Sequence, residues 1–154
     1  MLCLYVTIDG VASYSASTIP VCRAHTSQEV AECLASLEHA CRLAPSQVLY
    51  CKGGAIKSFG LFAQGVTPSW EDAAMRGCGA VVRVDSVNVG AFQLFKNLVA
   101  ILPAVPELAG ARLVLEHDGA LRTEAWCRGP SVPWGEVERA LDPEGGLRCR
   151  VSRT

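Results

Sequence analysis

The chain has 154 residues, half of them apolar, and a formal net charge of -1. Such a length and apolar content suit one hydrophobic core that folds without metal or disulfide staples, so a single domain over residues 1–154 is expected. A charge this near zero excludes a broad basic surface holding nucleic acid by counterion release, and leaves only local contacts, such as a pocket for a terminal nucleotide.

Leu2 to Ile8 is rich in β-branched and aromatic residues and predicts a strand ending at the turn chemistry of Asp9-Gly10. Thr26-Ser27-Gln28-Glu29 reads as a capping box, in which the Thr26 hydroxyl and the Glu29 carboxylate each satisfy an orphan backbone donor. The helix it opens carries Val30, Leu34, Leu37 and Cys41 at helical spacing and ends before Pro45. Residues 59–72 read as a loop punctuated by Gly and Pro. Ala80 to Val84 predicts a strand, and Ala91 to Leu102 a second helix with Phe92, Phe95, Leu98, Val99 and Leu102 as its stripe, stopped by Pro103 and Pro106. Arg112 to Glu116 and Thr123 to Cys127 predict a hairpin turning near Asp118-Gly119. A third helix after Ser131, running to Leu141, and a strand from Leu147 to Val151 complete the order. Strands and helices in this sequence imply an α/β (α+β) fold: a curved, mainly antiparallel sheet with about three helices on one face. No stretch is apolar for long enough to span a membrane, and no repeat appears.

The eight cysteines, Cys3, Cys22, Cys33, Cys41, Cys51, Cys78, Cys127 and Cys149, include no CxxC pair. Without close ligand pairs no structural zinc site is expected. Most are expected to be reduced, buried, small hydrophobes, and with no signal peptide at Met1 the expected compartment is cytoplasmic, or nuclear. No nucleophile and base stand in an arrangement that suggests catalysis, and no cofactor is implied.

The chemistry concentrates at Trp70-Glu71, an indole beside a carboxylate. An N7-methylated guanine is cationic and stacks on an indole more strongly than the unmethylated base, while its N1 and N2 hydrogens point at one edge that a carboxylate can accept. Trp70 is placed to stack and Glu71 to read that edge.

The surrounding stretch, Leu61-Phe62-Ala63-Gln64-Gly65-Val66-Thr67-Pro68-Ser69-Trp70-Glu71-Asp72, resembles the Leu-Phe-x-x-Gly-Ile-x-Pro-x-Trp-Glu-Asp signature of the translation initiation factor 4E family, which binds the 7-methylguanosine cap of mRNA. Cys78-Gly79 stands where that family has a Gly pair. The element order also fits. The resemblance implies that Trp70 is the second of two stacking rings, Glu71 the acceptor and Trp126 the residue lining the methyl group. Tyr14 falls where the first stacking Trp is expected, and Tyr is the weaker cation–π partner. Among the family's basic phosphate positions, His117, Gly119 and Ala80 replace cations and Arg122 remains as the phosphate ligand.

On the opposite face the family receives a helical peptide from scaffold or repressor proteins. The matching residues here are Val30 and Leu34 on the first helix and Phe95 and Leu98 on the second, without the family's Trp. The resemblance further implies a chain beginning at the first strand without an N-terminal arm and ending without the longer C-terminal loop, where Arg148, Arg150 and Arg153 supply positive charge. The expected function is recognition of the capped 5′ end of mRNA in translation initiation or its regulation, with a scaffold or regulatory protein as second partner. The alternative is a fold of this type that has lost cap binding and serves as an interaction subunit.

Overall fold

The computed structural model describes residues 1–9, 17–44, 47–68, 79–129 and 134–152. Tyr14, Trp70, Glu71, Cys78 and Ser131 lie outside the described residues. Strand β1 (Leu2–Ile8) buries Leu2, Leu4, Val6 and Ile8 by strict alternation, as its sequence pattern requires. It is flanked by two antiparallel neighbours, β2 (Thr18–Ala24) and β4 (Gly54–Ala63). A short β3 (Tyr50–Cys51) forms a hairpin with the start of β4. The remaining strands are β5 (Ala80–Ser86), β6 (Leu108–Leu115), β7 (Leu121–Cys127) and β8 (Leu147–Ser152). Their order across the curved sheet is β2-β1-β4-β6-β7-β5-β8, and every described pairing is antiparallel.

Helix α1 (Ser27–Leu43) starts as expected: the Glu29 backbone N–H donates to Thr26 Oγ1 at 3.1 Å. The return bond of the box is shifted by one residue, with the His25 backbone N–H donating to Glu29 Oε2 at 3.0 Å. Helix α2 (Ala91–Ile101) passes into a 3-10 turn, Leu102–Ala104, because Pro103 has no N–H with which to continue it. Helix α3 (Trp134–Leu141) precedes β8. Inner residues of these helices (Leu37 and Cys41; Leu94, Phe95 and Leu98; Val137 and Leu141) pack with Leu61, Leu113 and Ala125 of the sheet into one core. The other face of the sheet carries a smaller cluster of Phe62, Val66, Val81, Ala109 and Trp126, with Tyr5 against it.

Three expectations are corrected. Residues 59–63 belong to β4, a central strand, and not to a loop; Phe59 and Leu61 face the helices while Phe62 is buried on the other side, so covering on both faces produces a nearly unbroken apolar run. Phe95 and Leu98 have no exposed surface, since they are the inner stripe of α2 and belong to the core, not to a docking face. The thiols are mostly not buried: among the described cysteines only Cys41 and Cys127 are, while Cys22 and Cys149 are exposed.

Candidate ligand-binding site

The β6–β7 hairpin sets the site. Gly119, with φ 84°, allows the tight turn, in which the Gly119 N–H donates to the Glu116 carbonyl at 3.0 Å and the Glu116 N–H to the Ala120 carbonyl at 2.9 Å. This turn puts Val114 opposite Arg122, Arg112 opposite Glu124 and Gly110 opposite Trp126. Since Leu113, Ala111, Ala125 and Cys127 point into the helix-side core, alternation sends Arg112, Arg122, Glu124 and Trp126 to the open face.

There they form one connected network. Glu124 is central: Trp126 Nε1 donates to its Oε1 at 3.3 Å, Arg112 Nε lies 2.9 Å from the same oxygen, and Arg122 Nη2 lies 3.2 Å from Oε2. Arg122 also reaches Glu116 Oε1 through Nη1 at 2.7 Å. The Arg112 guanidinium carbon stands 5.5 Å from the Trp126 ring centre, within cation–π range. Beneath it Phe62 meets Trp126 edge to face, 5.5 Å between centroids at 83°, and Tyr5 meets Phe62 in the same manner at 6.1 Å. Gly110 permits this packing, because a Cβ there would fall 2.5 Å from Phe62 Cγ.

A cavity of about 660 Å³ opens over the network, bounded by the hairpin on one side and by the ends of β1 and β4 on the other. Its cations are Lys57, Arg112 and Arg122 and its anions Asp9, Glu116 and Asp118. Each described cation already faces a carboxylate, Lys57 Nζ lying 3.6 Å from Asp9 Oδ1. Two buried polar atoms of the lining have no aligned hydrogen-bond partner among the described residues: Ser58 Oγ, and Arg112 Nε, whose 2.9 Å approach to Glu124 is an ion pair off the N–H direction.

The expected residues are thus only partly brought together. Trp126 and Arg122 share the open face, but Trp126 is 2 % exposed under Arg112, and Arg122 is held between two carboxylates. Tyr14 lies outside the described residues. Trp70 and Glu71 are also outside them, between Val66 and Val81, both of which pack in the Trp126 cluster. Arg112, Glu116, Glu124 and Phe62 were not singled out from the sequence. The hairpin itself was predicted, but its register, with the Glu116 N–H bonded to the Ala120 carbonyl so that Arg112 faces Glu124, is seen only in the structure.

A second groove, of about 570 Å³ and mostly apolar, lies on the helix side. Val30, Ala31 and Leu34 of α1 form one wall, and Lys96, Val99 and Ala100 of α2, followed by Leu102 and Pro103, form the other. Val30 and Leu34 therefore sit where a docking face was expected, and Val99 and Leu102 take the place assigned to Phe95 and Leu98.

An open-faced antiparallel sheet, backed by helices and bearing a polar cavity on its bare side, defines a fold of the α+β class. Its particular form is that of the initiation factor 4E proteins. The chain is similar to eIF4E-3 of C. elegans, solved with the 4E-binding protein Mextli and a cap analog, at 15% identity over 97% of this chain and 88% of that one, with a TM-score of 0.63. It is similar to eIF4E-3 of Ascaris suum, solved with the m2,2,7G cap, at 15% identity over 99% and 89%, TM-score 0.64. For schistosome eIF4E complexed with m7GpppG and 4E-BP the values are 14%, 99% and 89%, with a TM-score of 0.65. At such identities the shared property is the fold. No family model and no curated protein matches the chain. No helix among the described residues is long and apolar enough to cross a membrane.

Proposed function

We propose that this protein recognises the 7-methylguanosine cap of mRNA on a 4E-type fold, acting by binding without catalysis, in translation initiation or its regulation. The observation that carries the reading is the cavity on the bare face of the sheet, lined by Lys57, Arg112 and Arg122, on a fold whose solved neighbours were determined with a cap analog or cap. In this reading Trp70 and Tyr14 sandwich the cationic base and Glu71 accepts its N1 and N2 hydrogens. Trp126, buried below Arg112, serves as the floor toward the methyl group. Arg122 is the phosphate ligand, and to act it must exchange part of its contact with Glu116 and Glu124 for phosphate oxygens. The compartment in this reading is the cytoplasm, or the nucleus, and the free thiols of the described cysteines are compatible with either.

The test is a titration with 7-methylguanosine triphosphate and with unmethylated guanosine triphosphate, followed by Trp fluorescence, on the parent chain and on Trp70→Ala and Glu71→Ala. Methyl-selective quenching lost in both variants supports the reading. Equal response to the two nucleotides refutes it.

A second reading, an interaction subunit, is favoured by the apolar groove between α1 and α2, on a fold whose relatives were solved with 4E-binding proteins. In it Val30 and Leu34 contact an amphipathic helix, with Val99 and Leu102 opposite, while Phe95 and Leu98 support the groove from the core. Calorimetric titration with such a helical peptide, repeated on Leu34→Glu, tests it; unchanged affinity in the variant would remove the groove from consideration.

A further inference from the structure

Cys22 Sγ and Cys33 Sγ lie 3.8 Å apart. Cys22 belongs to β2, the edge strand of the sheet, and Cys33 to α1. The contact is a consequence of a register shift. Leu4 pairs with Cys22 but Tyr5 pairs with Pro20, so Val21 is an extra residue on the edge strand. Above the shift Cys22 and Ala24 share the helix-side parity of Leu4 and Leu2, and Cys22 faces α1. On the helix, Cys33 stands between Val30 and Leu37 on the inner stripe, one residue before Leu34. The two thiols thus meet at the outer margin of the α1–β2 interface, where Cys22 is exposed and Cys33 half-buried.

We propose that Cys22 and Cys33 form a reversible redox site, a dithiol that hydrogen peroxide oxidises to a disulfide clipping α1 to the edge strand. Bond formation shortens the 3.8 Å separation to the roughly 2.05 Å of a disulfide. The exposed Cys22, as thiolate, attacks one peroxide oxygen; the O–O bond breaks and hydroxide leaves, giving the Cys22 sulfenic acid. Cys33 then loses its proton and attacks the Cys22 sulfur, and the S–O bond breaks with departure of a second hydroxide. The two protons from the thiols convert both hydroxides to water, so two thiols lose two electrons and one peroxide gains them. A dithiol reductant reverses the change by exchange. Burial, and then the neighbouring Cys22, push the Cys33 thiol up to about 11, so the second step is the slow one and accelerates as pH rises above neutral. The clip fixes the helix that carries Val30 and Leu34, one wall of the helix-side groove. This inference is independent of cap binding.

The test treats the full chain with a small excess of hydrogen peroxide, digests it without reduction and identifies linked peptides by mass. The expected result is one dominant Cys22–Cys33 link, two hydrogens lighter than the separate peptides and reversed by dithiothreitol. Its rate should increase from pH 7 to pH 9. Oxidised protein should melt roughly 5–10 °C above the reduced form, and the shift should vanish in Cys22→Ser and in Cys33→Ser. Scrambled links, oxidation of Cys22 to the sulfinic acid without a link, or the same melting shift in Cys22→Ser would each overturn the proposal. So would absence of the link at a peroxide dose that fully oxidises a free-thiol control.

Discussion

Replacing Glu124 with Gln removes one charge from the centre of the open-face network while keeping the shape of the side chain. Glu124 is 10% exposed at its side chain and Arg112 is 17% exposed, so neither charge is well solvated. Arg112 has no other carboxylate within ion-pair distance among the described residues, whereas Arg122 keeps Glu116 at 2.7 Å. Deleting one member of a fully buried pair costs about 3–5 kcal/mol. With Gln still able to accept a hydrogen bond, and with Arg112 partly reached by water, the expected loss is about 2–3 kcal/mol. For a chain of this size that lowers the melting temperature by roughly 4–12 °C. Glu116→Gln is the internal control, because its carboxylate and Arg122 are 34% and 26% exposed, and about 0–1 kcal/mol is expected. Both values come from urea unfolding followed by circular dichroism, with the slope m unchanged. A Glu124→Gln variant within about 0.5 kcal/mol of the parent, or one less affected than Glu116→Gln, would refute a desolvated network beneath the cavity.

Three further outcomes are expected. Because Lys57, Arg112 and Arg122 are each matched by a carboxylate, and Arg122 must exchange such contacts for phosphate oxygens, 7-methylguanosine mono- and triphosphate should differ in affinity by less than about tenfold, one free charge-assisted hydrogen bond being worth roughly 1.5–3 kcal/mol; a hundredfold preference for the triphosphate would show that the exchange costs little. Gly110→Ala should destabilise the protein by about 1–3 kcal/mol, since its methyl group would stand 2.5 Å from Phe62 Cγ, and an unchanged thermal melt would mean that the Phe62–Trp126 packing is loose. Burial pushes the Cys41 thiol up to about 11 and the Cys127 thiol up to about 12, from 9.0; between these values the unfolded chain binds fewer protons, so the stability these thiols contribute is complete below pH 9 and is lost as pH rises toward 11–12. Urea midpoints at pH 8 and pH 10.5 measure that fall, and Cys127→Ala should make it shallower.

Local chemistry was legible where it is self-contained. The alternation of Leu2 to Ile8, the Thr26 cap, the Asp118-Gly119 turn and the stop at Pro103 depend on neighbours within a few residues, and all four are where the sequence puts them. Strand β4 was not legible, because a strand covered on both faces loses its period of two and Gly60 imitates a loop. Strand β2 contains Pro20, which only an edge position tolerates, and nothing local says where the edge lies.

The sequence by itself determined the first strand, the capped and proline-stopped helices, the hairpin that carries Arg122 and Trp126, and, through the 61–72 signature, the resemblance to the 4E fold that the architecture bears out. Only the tertiary structure decided that Phe95 and Leu98 are wholly covered while Val99 and Leu102, also core residues, border the groove, because a helix pattern records hydrophobicity without saying what covers it. It likewise decided that the cavity's cations are neutralised and that two thiols eleven residues apart in sequence meet at one margin. Ion pairing and thiol contact depend on cross-strand register and on a single extra residue in an edge strand, which are settled when the whole sheet closes.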